Sequence, residues 1–258
     1  MPDSLRLPDL DGKSVLVTGS STGIGAAVAL AFGAQGARVG VHYNASRTPA
    51  EAIAAGVTEA GGEAYLVHGD FGKADEVRRV VGETAEHFGG LDGLINNAGG
   101  MLGRIDYTDL TDDHYDAVMD LNARSVIVAS QAALPFLKKS GGFIINTTSV
   151  AARNAGGGGA GLYGSSKAFV SNVTRGMAKE WIGHGIRINA VAPGVIATPF
   201  HERYSTAEQM DAMRAMIPQG RHGIAEDCVG AFLFLASEAL SGYIIGQVIE
   251  VNGGQLMP

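Results

Sequence analysis

The chain has 258 residues and carries 19 lysines and arginines against 26 aspartates and glutamates, a formal charge of −7. That length suits one large α/β domain or two small ones, and the acidic balance argues against nucleic acid as a partner, which calls for a basic surface. The lone cysteine, Cys228, excludes an intramolecular disulfide and a cysteine-based zinc cluster, and it sits in an apolar segment that suits core packing. No apolar run approaches the ~20 residues that span a bilayer, and the N-terminus shows no apolar signal core, so a cytoplasmic protein with no membrane partner is expected.

Residues 1–12 are polar, contain Pro2 and Pro8, and read as a lead-in. Ser14–Thr18 is a nearly continuous apolar run of the kind that forms a parallel strand buried on both faces. Gly19-Ser-Ser-Thr-Gly23-Ile-Gly25 follows, then an alanine-rich helix over residues 26–35, whose Ala27, Leu30, Ala31 and Ala34 share one face. Arg38–His42 is the second strand, so residues 14–42 form a strand–glycine turn–helix–strand unit. The alternation continues with a helix over 49–60 stopped by Gly61-Gly62, a strand over 64–68, a helix over 73–88 stopped by Gly89-Gly90, and a strand over 93–96. A long helix is predicted over 111–139, with Asn122 near its middle and Pro135 kinking or trimming its far end. A strand over 142–147, a helix over 163–184 and a strand over 187–191 come next. Helices over 206–217 and 225–237 and a last strand over 247–251 complete the pattern. Seven strands alternating with helices through short loops predict a single-domain α/β fold over 1–258, a Rossmann-type doubly wound parallel seven-stranded sheet with helices on both faces.

Two local patterns carry chemistry. The three glycines lie where a strand turns into a helix, where glycine permits a tight turn and leaves room for a phosphate. The helix N-terminus beyond offers unpaired N–H groups and a positive dipole end. The spacing is Gly-x-x-x-Gly-x-Gly rather than the commoner Gly-x-Gly-x-x-Gly of dinucleotide sites. The second pattern is Tyr163-Gly-Ser-Ser-Lys167. Residues four apart share a helical face. An ammonium near a phenol favours the phenolate, so Tyr163 is expected to be more acidic than a free phenol and to move protons near neutral pH.

Thr18-Gly-Ser-Ser-Thr-Gly-Ile-Gly25 resembles the cofactor turn of the short-chain dehydrogenase/reductase family. Asn96-Asn-Ala-Gly99 after the fourth strand, Asn122 in Asp120-Leu-Asn-Ala123, and Ser149 after the fifth strand resemble further motifs of that family. So do Tyr163-x-x-x-Lys167 and Pro193-Gly194 after the sixth strand. The resemblance covers residues 10–255 and implies the strand order 3-2-1-4-5-6-7. Gly19, Asn97, Ser149 and Pro193 all follow strand ends, and ligands of parallel sheets gather at those ends.

The resemblance implies reversible hydride transfer between a nicotinamide and a small-molecule carbonyl or secondary alcohol. Tyr163 would be the general acid and base. Lys167 would lower its pKa and hold the nicotinamide ribose, Ser149 would bind the substrate oxygen, and Asn122 would hold a relay water. Gly19, Ser21, Thr22, Gly23, Ile24, Gly25, Asn97, Ala98 and Gly99 would bind the cofactor. Pro193, Gly194, Ile196 and Thr198 would contact its nicotinamide end. Asp70-Phe71 resembles the family's adenine contact, with helix capping as the other reading of Asp70. The second strand ends in Asn44-Ala45-Ser46-Arg47 with no carboxylate to repel a 2′-phosphate. Asn44, Ser46 and Arg47 therefore favour NADP(H), with NAD(H) still open.

Residues 199–220 interrupt the alternation and are expected to form a substrate lid. Met210, Met213 and Met216 either line an apolar pocket or pack the lid onto the domain. Asn154–Gly161 is glycine-rich and is expected to border the same pocket, with Arg153, Leu162 and His201 as further candidates; His201 reads as a lid surface residue. The C-terminal run Tyr243–Gly254 resembles that of tetrameric family members, so a homotetramer is expected. Within the family the chain resembles 3-oxoacyl-[acyl-carrier-protein] reductases and glucose dehydrogenases. A 3-oxoacyl-thioester reductase and a sugar dehydrogenase are thus the alternatives, and a non-catalytic NADP-sensing regulator is the reading from another class.

Overall fold

The structure, a computed structural model, describes residues 6–257; Pro2 of the lead-in lies outside them. In chain order come a 3₁₀ turn (Pro8–Leu10), β1 (Ser14–Val17), α1 (Gly23–Ala34), β2 (Arg38–Tyr43), α2 (Arg47–Glu59) and β3 (Glu63–His68). Next are α3 (Ala74–Phe88), β4 (Gly93–Asn96), α4 (Asp112–Met119), a π-helical turn (Asp120–Arg124), α5 (Ser125–Ser140) and β5 (Phe143–Thr147). Then follow α6 (Ala151–Asn154), α7 (Gly161–Trp181), β6 (Arg187–Pro193), α8 (Pro199–Tyr204) and α9 (Ala207–Ala215). The chain closes with α10 (Ala225–Ala236), α11 (Glu238–Ser241) and β7 (Val248–Val251).

The seven strands form one parallel sheet in the order β3-β2-β1-β4-β5-β6-β7, the order that the family resemblance implies. Successive strand residues point to opposite faces, and in the central strands both faces are buried. Val15 and Val17 pack with Val28 and Phe32 of α1, Val57 of α2 and Phe232 of α10. Leu16 between them packs on the other side with Val77 and Val80 of α3, Val128 and Leu137 of α5, and Met177 of α7. Cys228 is fully buried in the first of these cores, and burial pushes its thiol up to about 12, which leaves it a packing residue.

Three expectations need correcting. Pro135 does not trim its helix, which runs five residues past it to Ser140. The irregularity falls instead at Asn122, where the Ser125 N–H reaches back five residues to the Asp120 carbonyl. The helix carrying Tyr163 begins two residues earlier, at Gly161. The lead-in contains an element, because Pro8–Leu10 tucks Leu10 into the core.

Polar bonds inside the second core fix α7 against the sheet. The Asn146 amide of β5 donates to the Thr174 hydroxyl of α7 at 2.9 Å and accepts from the Asn96 amide of β4 at 2.8 Å. One turn nearer the strand ends, the Thr148 hydroxyl donates to the Lys167 carbonyl at 2.8 Å and lies 2.7 Å from the Ser171 hydroxyl. An unpaired buried amide is costly, so these bonds hold α7 to a narrow range of positions.

Candidate active site

The glycine turn is built by long-range contacts as well as by its own residues. Gly19 and Gly23 have φ of +64° and +59°, the left-handed region that glycine enters without strain. A Cβ on Gly19 would lie 2.9 Å from the Ala98 Cα, and one on Gly25 would collide with the Asn97 amide. The Thr18 hydroxyl accepts from the N–H groups of Asn97 and Ala98, both at 2.9 Å. The Asn97 amide in turn donates to the carbonyls of Thr18 and Gly19 at 2.9 and 3.1 Å. The turn is thus stapled to the end of β4, and α1 begins just beyond it with no side chain capping its N-terminus. Its free N–H groups are available to an anion.

His42 supports the turn from the other side. The Gly19 N–H donates to His42 Nδ1 at 2.8 Å, and His42 Nε2 donates to the Gly69 carbonyl at 3.0 Å, an arrangement only the neutral ring can make. The ring lies 4.1 Å from Phe71, centroid to centroid. Burial pushes the His42 pKa from 6.5 down to about 4 against the opposing pull of the Gly69 carbonyl, with His68 and Arg79 adding to the depression. A polar residue inside the apolar strand Val39–Tyr43 was the available signal, but its two partners come from separate turns.

Tyr163, Ser149 and Lys167 meet at the carboxyl ends of β5 and β6. Lys167 is buried, and its Nζ donates to the Thr147 carbonyl at 2.9 Å while lying 5.8 Å from the centre of the Tyr163 ring. Burial brings Lys167 down to about 8. Tyr163 departs from expectation. Desolvation in its packed surroundings raises the phenol to about 12, and the Ser149 hydroxyl pulls only weakly the other way. The Lys167 ammonium is bonded to the Thr147 carbonyl and not to the phenol. Asn122 is fully buried, donates to the carbonyls of Gly100 and Val118 at 2.8 and 2.9 Å, and accepts from the Gly100 N–H at 3.0 Å. A Cβ on Gly99 would lie 2.7 Å from Asn122 Oδ1 and 3.2 Å from Lys167 Nζ, so both groups border that glycine.

One cleft joins the turn to this cluster. Gly19, Ser21, Thr22, Gly23, Ile24, Asn44, Ser46, Phe71, Asn97, Ala98, Gly99, Pro193, Gly194, Ile196 and Thr198 line it with Ser149, Tyr163 and Lys167. Gly25, Asp70, Arg47 and Asn122 do not. Gly25 packs on Asn97, and Asp70 accepts from the Gly72 N–H at 2.9 Å and pairs with Lys73 at 3.4 Å rather than capping α3. Arg47 opens α2 in an exposed pair with Glu51 at 2.8 Å.

In the 199–220 segment, Met213 and Met216 line the cleft, whereas Met210 does not. A three-residue step falls 60° short of a full helical turn, so the stripe rotates away from one face. His201 lines the cleft, but Arg153 pairs with Glu250 at 3.6 Å and Leu162 is buried outside the lining. The glycine loop borders the cleft through Gly156, Gly157 and Gly158, as expected. Unforeseen lining residues include Arg104, from the loop after β4, and Phe200, Arg203 and Tyr204, from α8, a helix of six residues too short to show a periodic signal.

Comparison with known proteins agrees with this geometry. A family model described as Enoyl-(Acyl carrier protein) reductase matches residues 19–255. A 3-oxoacyl-[acyl-carrier-protein] reductase of Synechocystis is 39% identical over 253 residues, 96% of this chain and 98% of that one. The crystal structure of an NADH-dependent reductase, A1-R′, responsible for alginate metabolism superposes with a TM-score of 0.90 at 39% identity, covering 97% of this chain and 100% of the other. A short-chain dehydrogenase from Burkholderia cenocepacia in complex with NADP gives 0.89 at 37% identity, over 96% and 99% of the two chains. The chain belongs to the short-chain dehydrogenase/reductase family and is an oxidoreductase.

The His42 strut predicts a pH-dependent stability. A base whose folded pKa is depressed stabilises the fold fully above its unfolded pKa, here 6.5, and that stability is lost as pH falls toward about 4. His201, also depressed to about 4, chiefly by burial, acts with the same sign. Replacing His42 with Phe keeps a ring of similar size but strands the Gly19 N–H and the Gly69 carbonyl. Urea denaturation of His42→Phe is expected to show a loss of about 2–3 kcal/mol at pH 7 and a flatter decline between pH 6.5 and 4.

Proposed function

We propose that the protein is an NADP(H)-dependent oxidoreductase that interconverts a small-molecule carbonyl and a secondary alcohol, with Tyr163 as general acid and base. The observation that carries the reading is the convergence of Tyr163, Ser149 and Lys167 in the same cleft as a glycine turn whose backbone leaves room for a phosphate. The fit to a dinucleotide is supported by the unpaired N–H groups at the start of α1 and by the lining itself. Among the described residues, no aspartate or glutamate lines the cleft, in a chain with 26 of them.

Gly19, Ser21, Thr22, Gly23 and Ile24 would hold the pyrophosphate, with Gly25 keeping the turn tight against Asn97. Phe71 would form the adenine wall, with Asp70 shaping the turn behind it. Asn97, Ala98 and Gly99 would support the adjoining ribose, and Lys167 and Tyr163 would hold the nicotinamide ribose. Pro193, Gly194, Ile196 and Thr198 would contact the nicotinamide. When bound, the cofactor supplies or accepts the hydride. In reduction, the Tyr163 hydroxyl gives its proton to the substrate oxygen as negative charge develops there. At about 12 the phenol is fully protonated at neutral pH, the state a proton donor needs. The Ser149 hydroxyl orients that oxygen. The Lys167 ammonium stabilises the phenolate left behind, and its own pKa of about 8 keeps it mostly protonated at pH 7. Asn122 positions the Gly99–Gly100 turn beside Lys167, and a relay water takes the lone pair of Oδ1 that Gly100 leaves free. Tyr163→Phe is expected to lower turnover at least a hundredfold while leaving NADPH affinity unchanged in fluorescence titration; turnover near the wild-type rate would refute the mechanism.

NADP(H) is favoured over NAD(H) by the end of β2. Asn44 and Ser46 line the cleft there, and the Ser46 hydroxyl makes no capping bond to α2. Arg47 follows directly. Its pair with Glu51 is exposed and screened by solvent, so a 2′-phosphate can take the carboxylate's place. Arg47→Ala is expected to lower kcat/KM for NADPH about tenfold and to leave that for NADH unchanged. Equal losses with both cofactors would remove Arg47 from the specificity site.

A 3-oxoacyl-thioester reductase is the second reading, favoured by the name of the Synechocystis relative. Residues 199–220 would form the lid over the substrate. A cytoplasmic location suits a chain whose one cysteine is an inert buried thiol. The edge strand β7 leaves Val248, Ile249 and Val251 half-buried, and Tyr243 beside it is fully exposed, a surface that assembly would cover. A homotetramer is therefore expected in sizing with light scattering, and a monomer there would remove it.

A further inference from the structure

The glycine turn explains why the nucleotide end of the cleft is free of carboxylates. It does not explain the far end, where two cations stand without an acid. Arg104 lies in the loop after β4, and Arg203 lies on α8 of the 199–220 segment; both line the cleft. Elsewhere in the protein Arg47, Arg78, Arg79, Arg124, Arg153, Arg214 and Arg221 all pair with carboxylates. Among the described residues, neither Arg104 nor Arg203 has an ion-pair partner. Asp106 and Asp109 border a separate recess that Arg104 also touches, without forming an ion pair with it.

The partners of Arg104 are neutral. Its Nε donates to the Tyr204 carbonyl at 2.6 Å, its Nη1 to the Gly158 carbonyl at 2.9 Å, and its Nη2 to the Ser205 hydroxyl at 3.4 Å. A guanidinium has five N–H groups, so each terminal nitrogen keeps one in hand. The side chain is thereby held between the glycine loop and the lid with its charge uncompensated. Arg203 lies over the Tyr204 ring, 5.9 Å from its centre, so the two guanidinium groups flank one residue. An aromatic run leads from them to the reacting groups. Tyr204 and Phe200 are 5.1 Å apart, and Phe200 and Tyr163 are 5.4 Å apart, centroid to centroid. His201, between them on α8, is kept neutral, chiefly by burial and then by the charge of Arg104, so its ring does not compete for an anion.

We propose that the substrate carries a carboxylate, bound between Arg104 and Arg203 at the Tyr204 end of this run while its carbonyl or hydroxyl group lies at Ser149 and Tyr163. The proposal rests on the oxidoreductase reading for the placement of the reacting group. The carboxylate site itself stands on Arg104 and Arg203. Planar guanidinium groups are suited to a carboxylate, which accepts two parallel N–H bonds. The anion would also link the lid to the loop after β4, so binding and closure of the cleft would go together.

The test uses the enzyme saturated with NADP⁺, in which a ketone binds without being reduced. Levulinate, 5-oxohexanoate and 7-oxooctanoate, which set the carboxylate at increasing distance from the ketone, are titrated by calorimetry against their methyl esters, which differ only in charge and one methyl group. At least one acid is expected to bind tenfold or more tightly than its ester. Arg203→Gln or Arg104→Gln should shrink that advantage to about twofold or less, and Arg104→Lys should retain part of it. Because Arg104 also anchors two loops, Arg203→Gln is the primary variant, with melting temperature read alongside. If no acid binds more tightly than its ester, or if the advantage survives in both glutamine variants, the proposal is overturned. The titration involves no turnover. Full activity in Tyr163→Phe would overturn the catalytic reading and leave the carboxylate site standing, whereas equal binding of acids and esters would do the reverse.

Discussion

Lys167 is 4% exposed, and its ammonium donates to the Thr147 carbonyl at 2.9 Å. A buried ammonium with one neutral partner is expensive, and it persists only where the surrounding structure leaves it nowhere else to go. Here that constraint is supplied by the docking of α7 on the sheet. The Asn146–Thr174 bond and the bonds of Thr148 to the Lys167 carbonyl and Ser171 hold the helix at the ends of β5 and β6. Once α7 is placed, Tyr163 follows, because it stands one helical turn before Lys167. The cost of the buried charge appears as a lysine brought down to about 8, near enough to neutrality for the group to respond to its surroundings.

The nucleotide end of the cleft is built on a complementary principle. There no charge is buried. The turn at Gly19 is held by neutral groups, by Thr18 and Asn97 on one side and the uncharged His42 ring on the other. The free backbone N–H groups face an opening with no carboxylate in it. Such a site attracts an anion by oriented dipoles rather than by opposing charge. The two ends differ in their fixed charge: among the described residues that line the cleft, the arginines are Arg104 and Arg203, both at the end away from the glycine turn.

Much of this was legible in the sequence, for identifiable reasons. The seven strands and the glycine turn followed from short apolar runs punctuated by glycines, since both signals are local, whereas the strand order came from the family resemblance. Pro135 shows where a local rule misleads. Proline removes one helical bond, but α5 is held on both sides by core contacts of Val128, Ala133 and Leu137, and it continues. The break came at Asn122, an unremarkable residue by propensity, because its amide binds the Gly100 backbone from a distant loop. The methionine stripe reaches the cleft in part, through Met213 and Met216, because its period is three rather than 3.6.

By itself the sequence determined the alternation of strands and helices and the glycine turn, because periodicity and turn residues are properties of neighbours, and the family resemblance supplied most of the groups in the cleft. It also placed Tyr163 and Lys167 on one helical face. What only the tertiary structure decided is the state those groups are in. Tyr163 lies above, not below, a free phenol, because desolvation depends on every element packed around it. His42 is a neutral strut because Gly19 and Gly69 meet it from separate turns. Arg104 is held in the cleft because Tyr204 and Gly158, respectively 100 and 54 residues further along the chain, bring their carbonyls to it. Long-range packing sets solvent access and partners, and these in turn set charge.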